Sequence, residues 1–210
     1  MVMPLSLALR AAAAAWTVAL LAAAADHHAA PPPPNSEVAA MQRWILRTRD
    51  HEGVPFAVID KRGARLWLFS AAGDPLGDAP VLLGRQRGDA SVEGIGERPL
   101  AQVRPDERTT PAGRFVALPG HNAAGEDIFW VDYPAAVSMH RVRATVAAER
   151  RLQRLASPTV ADNRITWGCI NVPAAFYDAR LRPLFQQSRR GVVYILPEVV
   201  PAARLFTPAS

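Results

Sequence analysis

The chain is poor in the residues that staple and anchor proteins. It has one cysteine in 210 residues, so no disulfide can close within it. A small domain held together by disulfides is therefore excluded. No cysteine follows the apolar N-terminal stretch, which excludes a lipoprotein anchor. There is no internal repeat, which argues against a solenoid or propeller. Nothing beyond a net charge of +5 speaks for nucleic acid, so no nucleic-acid partner is expected. The basic balance comes mostly from arginine and also suits an anionic cell wall or membrane surface.

What is present is ordinary for a globular chain, with 50% apolar and 20% charged residues. The length suits one core-forming domain. Residues 1–25 look like an export signal. Arg10 supplies positive charge, residues 11–25 are uncharged and mostly apolar, and Ala23-Ala24-Ala25 offers small residues for cleavage before Asp26. An uncleaved leader would instead anchor the chain, and only then would it contact the membrane. Residues 26–53 are expected to form a tether around Pro31-Pro32-Pro33-Pro34 and then a helix, capped by Ser36 and running to about residue 48. Val38, Met41, Ile45 and Trp44 lie on one side of that helix.

From residue 54 the texture changes to short apolar runs separated by turns. Strands are expected at 54–59, 65–69, 79–83, 114–118, 128–132, 135–141 and 191–196, and 164–166 leads into the Cys169 turn. Residues 85–108 read as a long loop, of a length that is usually functional. Helices are expected at 146–156 and from Pro173 to about 187. The fold class is mostly β, a β-rich sandwich or barrel, with a few peripheral helices. The domain spans 54–197, and 198–210 is a C-terminal tail.

A solitary cysteine in an exported chain is a buried inert thiol, half of an intermolecular disulfide, or a nucleophile. Gly168 precedes Cys169 and lets backbone approach a substrate closely, which favours the nucleophile. Of five histidines, His140 ends an apolar alternating stretch, Ala136-Val137-Ser138-Met139-His140, that would fix its ring. From the residues alone it is equally a general base and a core histidine bonded to a carbonyl. His121, in a glycine-bearing turn, is the next candidate base.

Thr166-Trp167-Gly168-Cys169-Ile170-Asn171 resembles the signature of the L,D-transpeptidase (YkuD-type) family. That signature is a histidine followed, after a gap, by Ser/Thr-His-Gly-Cys, an apolar residue, and Asn or Arg. The opening hairpin, Gly84, Thr110-Pro111-Ala112-Gly113, His140 and the closing strand fall in the family's order. The resemblance implies a mostly β catalytic domain in the periplasm or cell envelope, acting on peptidoglycan stem peptides. Cys169 would attack the carbonyl of the third stem residue, D-alanine would leave, and an amine would resolve the thioester. His140 would be the base, and the amides of Gly168 and Cys169 the oxyanion donors. Thr166 and Asn171 would shape the motif. No cofactor and no metal is implied. The acceptor is a neighbouring stem, an envelope lipoprotein, a free D-amino acid or, in a carboxypeptidase, water.

Two departures stand out. Trp167 replaces the motif histidine, which motivates the alternative of a catalytically silent murein-binding module. The gap from His140 to Cys169 is longer than usual and carries the 146–156 helix. Carboxylate recognition is expected of Arg164 and Arg141, whereas Arg150, Arg151 and Arg154 read as a solvated helix face.

Overall fold

The computed structural model describes residues 34–206. The expected leader and most of the proline tether lie outside the described residues. Helix α1 spans Ser36–Thr48 and buries Val38, Met41 and Ile45, as its periodicity predicts. Its cap is Asn35 rather than Ser36: the Asn35 side chain accepts a hydrogen bond from the Val38 amide at 2.9 Å. Ser36 is the first helical residue instead.

The domain is mostly β, as expected. Strands β1 (Phe56–Asp60) and β2 (Arg65–Phe69) form the opening hairpin. They are followed by β3 (Pro75–Pro80), β4 (Leu83–Gly84), β5 (Gly113–His121), β6 (Asp127–Asp132), β7 (Val137–Arg141), β8 (Arg164–Thr166), β9 (Ile170–Val172) and β10 (Gly191–Ile195). Eight of them form one sheet in the order β3-β2-β1-β10-β5-β6-β7-β9, and β4 pairs with β8. A bridge between Leu82 and Asn171 joins the edge at β9 to the β4 segment, which gives the sheet its barrel-like closure.

The expected single strand at 79–83 is two short ones, because Pro80 has no amide to continue the ladder. Strand β9 escaped the sequence reading, which took the cysteine turn to run on into a helix. It pairs in parallel with β7, setting His140 opposite Asn171.

Alternate residues of β1 and β10 feed two cores. Ala57, Ile59, Val193 and Ile195 join Leu68, Met139, Ile170 and Phe185 in the larger one. Phe56, Val58, Val192 and Tyr194 pack under α1 with Phe206. Both strands are covered on both faces, so they read as continuous apolar runs rather than alternating ones.

Two helical expectations change in detail. The 146–156 segment is a 3-10 turn, Ala147–Glu149, then α2, Arg151–Ala156, broken at Arg150 with φ 49°. The 173–187 helix is continuous but bulged. It runs through α3 (Ala174–Phe176), a π turn (Tyr177–Leu181) and α4 (Arg182–Gln187). Pro183 lacks an amide and crowds the preceding turn, and the wider π turn accommodates it.

Lys61, the chain's only lysine, is fully buried at the first hairpin turn. Its Nζ donates to Asp89 Oδ1 at 2.8 Å and to the Thr110 carbonyl at 3.0 Å. Asp89 in turn accepts from the amides of Glu198, Val199 and Val200, each at 2.8 Å. The segment after residue 197 is thus pinned to the domain through Asp89 and through buried Phe206, and its described part is not a free tail. The same contacts anchor the start of the 85–108 loop.

Candidate active site

Cys169 lies in the turn between β8 and β9. Gly168 before it has φ 130°, and a Cβ there would stand 2.9 Å from the Thr109 carbonyl oxygen, so only glycine fits. The turn is held from two sides. Thr166 Oγ1 donates to the Cys169 carbonyl at 2.7 Å and accepts from the Gly168 amide at 3.2 Å. Thr110 Oγ1 donates to the Gly168 carbonyl at 2.8 Å and accepts from the Gly84 amide at 2.8 Å. Gly84 is required at that meeting point, since a Cβ would fall 2.5 Å from the Arg108 carbonyl oxygen. The Gly168 amide is therefore already engaged by Thr166, a correction to its expected role as an oxyanion donor. The Cys169 amide stays the candidate for that task.

Strand β7 sends Ser138 and His140 to the same face, two residues apart, and Met139 to the core. Ser138 faces the thiol through both amide and hydroxyl, each 3.5 Å from Cys169 Sγ. The alternation that singled out His140 also marks Ser138, which the sequence reading passed over. His140 Nδ1 lies 2.7 Å from the Arg141 carbonyl oxygen, and its Nε2 lies 3.1 Å from Asn171 Nδ2. A carbonyl-bonded histidine and a histidine beside the thiol are thus one residue, and the two expectations for His140 are compatible. Burial alone would raise the Cys169 thiol. His140, by hydrogen bonding and by charge, and then Ser138 outweigh it, so the thiol sits below the ordinary thiol range.

Cys169, Ser138, His140 and Asn171 line a cavity of about 640 Å³. Trp167 forms part of its wall, as does the 85–108 loop through Ile95, Arg98, Leu100 and Val103. The loop is built of three 3-10 turns. Its buried Glu107 accepts from Arg98 at 3.2 Å and from the Arg104 amide at 2.9 Å. Arg108 stacks on Trp167, its guanidinium carbon 3.3 Å from the ring centroid. His121 is exposed at the end of β5 and lines a separate recess, so it does not share the cavity with the thiol.

Both expected carboxylate clamps are corrected. Arg164 is buried and spent within the protein: Nη2 donates to Glu198 Oε2 at 2.6 Å and to the Lys61 carbonyl at 2.7 Å. Arg141 alternates away from the cavity and is shared by Asp127 at 2.9 Å and Asp178 at 2.6 Å, over the ring of Tyr177. The hydrogen bond that Arg141 donates to Asp178, partly opposed by burial, and the pairing with Asp127 raise its pKa further. Of the helix arginines expected to be solvated, Arg151 instead enters the cavity. Its side chain is 13% exposed and donates to Asn171 Oδ1 at 2.7 Å and to Glu149 Oε2 at 2.6 Å. Arg143 also lines the cavity, 3.4 Å from Glu126.

Among the described residues, no group of His, Cys, Asp and Glu is placed to hold a metal. No helix among them is long and apolar enough to cross a membrane.

Fold and site together define a mostly β domain in which a thiol and an imidazole line one cavity. No protein-family model matches the chain, and no curated protein matches it by sequence. Solved structures do. The helical cell shape determining protein Pgp2 from Campylobacter jejuni aligns over 83% of this chain and 61% of its own, at 12% identity and a TM-score of 0.46. Bd1075 from Bdellovibrio bacteriovorus aligns over 70% of this chain and 48% of its own, at 13% identity and a TM-score of 0.40. This chain therefore spans about half to three fifths of those proteins' length.

Proposed function

We propose that the protein is a cysteine acyltransferase of the L,D-transpeptidase type, exported to the cell envelope, whose donor is a peptidoglycan tetrapeptide stem. The observation that carries this reading is that Cys169 and His140 line one cavity, with the Ser138 amide and hydroxyl each 3.5 Å from the Cys169 sulfur. A nucleophile of this kind needs a base within reach and a group that orients the base. Here the Arg141 carbonyl accepts a hydrogen bond from His140 Nδ1–H, which leaves Nε2 to receive a proton.

In the first half-reaction Cys169 gives its proton to His140 Nε2 and its sulfur attacks the carbonyl of the third stem residue. The tetrahedral oxygen is met by the Cys169 amide. Collapse breaks the bond to D-alanine, whose nitrogen takes the proton from His140, and a thioester remains. In the second half-reaction His140 removes a proton from the incoming amine, which displaces the sulfur, and the released thiolate takes that proton back from His140.

The test is incubation with purified muropeptides and mass spectrometry of the products. Released D-alanine with a cross-linked dimer is the expected result. Release with only a shortened tripeptide would make water the acceptor. No turnover by a protein that binds muropeptides would support the silent binding module instead.

A further inference from the structure

Asn171 is caught between two residues of the cavity. Its Oδ1 accepts from Arg151 Nη1 at 2.7 Å, and its Nδ2 lies 3.1 Å from His140 Nε2. A guanidinium has donors only, so the Arg151 contact dictates which end of the amide carries the oxygen. Nδ2 must then donate to His140 Nε2. That makes Nε2 the unprotonated nitrogen and puts the ring proton on Nδ1, which donates to the Arg141 carbonyl at 2.7 Å. A neutral imidazole has one such lone pair, and Asn171 occupies it. The Cys169 thiol thus competes with Asn171 for the one place that can take its proton.

We propose that Arg151 is a positioning residue that biases the Cys169–His140 pair toward its neutral form, by keeping the donor end of the Asn171 amide turned to His140. The proposal rests on Cys169 and His140 being the reacting pair. Arg151 comes from the segment that lengthens the gap between those two residues, so this control belongs to the insertion and not to the motif. With Arg151 gone, the amide can turn over and offer Oδ1 to the imidazolium, and the thiol gives up its proton at lower pH.

The charges around the pair do not confound this. Arg151 is matched by Glu149 at 2.6 Å, so Arg151→Ala leaves Glu149 uncompensated, which by itself raises the thiol midpoint, opposite to the shift the proposal predicts. Arg143 and Arg98 line the same cavity and are paired with Glu126 and Glu107. On the far face of β7, Arg141 is paired with Asp127 and Asp178. His121 shares only the outer recess beside His140.

The experiment is the rate of Cys169 alkylation by iodoacetamide against pH, with melting temperature measured alongside. In Arg151→Ala the midpoint should fall by about one pH unit, equivalent to about tenfold faster alkylation on the acid side. Arg151→Lys keeps a donor for Oδ1 and should stay near wild type. In an Asn171→Ala background, adding Arg151→Ala should shift nothing further. Simple loss of a nearby cation would raise the midpoint instead. A raised or unchanged midpoint in folded Arg151→Ala therefore overturns the proposal alone, even if the melting temperature falls. Identical alkylation profiles in wild type and His140→Ala would overturn the reacting pair, and the proposal with it.

Discussion

The guanidinium carbon of Arg108 lies over the indole of Trp167, 3.3 Å from its centroid, and so joins the 85–108 loop to the turn that carries Cys169. An indole at this position cannot move protons, but it gives the loop a platform. Such a stack is worth about 0.5–2 kcal/mol. Trp167→Ala and Arg108→Ala should each speed amide hydrogen exchange over the loop, leave the sheet's protection intact, and raise the share of thioester lost to water. The two changes should not add, because they break one contact. Trp167→His should keep activity while loosening the loop. Additive effects, or exchange confined to other parts of the chain, would contradict the stacking account.

Arg164 should behave as a structural residue. Its ion pair with Glu198 is buried on both sides, and removing one partner strands a charge. Arg164→Ala should cost about 3–5 kcal/mol of stability, seen as a clear fall in melting temperature. Alkylation of Cys169 in the folded fraction should be unchanged. A variant of normal stability with impaired donor binding would restore Arg164 as a substrate clamp.

Asp89 should make the domain sensitive to acid. Burial disfavours its carboxylate, but the hydrogen bond from Lys61 and the three amides outweigh burial and take its pKa from 3.8 to about 2. A depressed folded pKa stabilises the fold above the unfolded value and is lost as pH falls through the folded one. Asp89 should thus contribute on the order of 2 kcal/mol at neutral pH, fading between about pH 4 and pH 2. Melting temperatures of wild type and Asp89→Asn should differ at pH 6 and converge toward pH 2. A constant difference across that range would show that the carboxylate's ionisation is not what matters.

Much of this architecture was legible in the sequence because local patterns decide it. The hairpin of β1 and β2, the buried stripe of α1 and the closing strand all follow from apolar spacing and turn residues. Cys169 and His140 stood out as a lone thiol and as the end of an alternating strand. What was not legible depends on partners far along the chain. Nothing near Arg164 foretells Glu198, and nothing near Arg141 foretells that Asp127 and Asp178 meet on it. Arg151 looked solvated because its helix seemed regular. The break at Arg150 and the parallel pairing of β9 with β7 bring it to Asn171.

His140 should be needed at neutral pH and dispensable at high pH. The alkylation rate of Cys169 in His140→Ala should fall well below wild type near pH 7. The deficit should close above about pH 9, where an accessible thiol ionises unaided. A profile identical to wild type would mean that another group lowers the thiol.

The central claim is that Cys169 forms a thioester-type acyl-enzyme. Its most direct test is the intact mass of the protein after exposure to a carbapenem, whose strained carbonyl stands in for the acyl donor. Wild type should gain the mass of one inhibitor, and peptide mapping should place it on Cys169. Cys169→Ala, shown to be folded by its melting curve, should gain none. An equal adduct on Cys169→Ala, or a wild-type protein that stays unmodified while iodoacetamide reaches its thiol, would contradict the account.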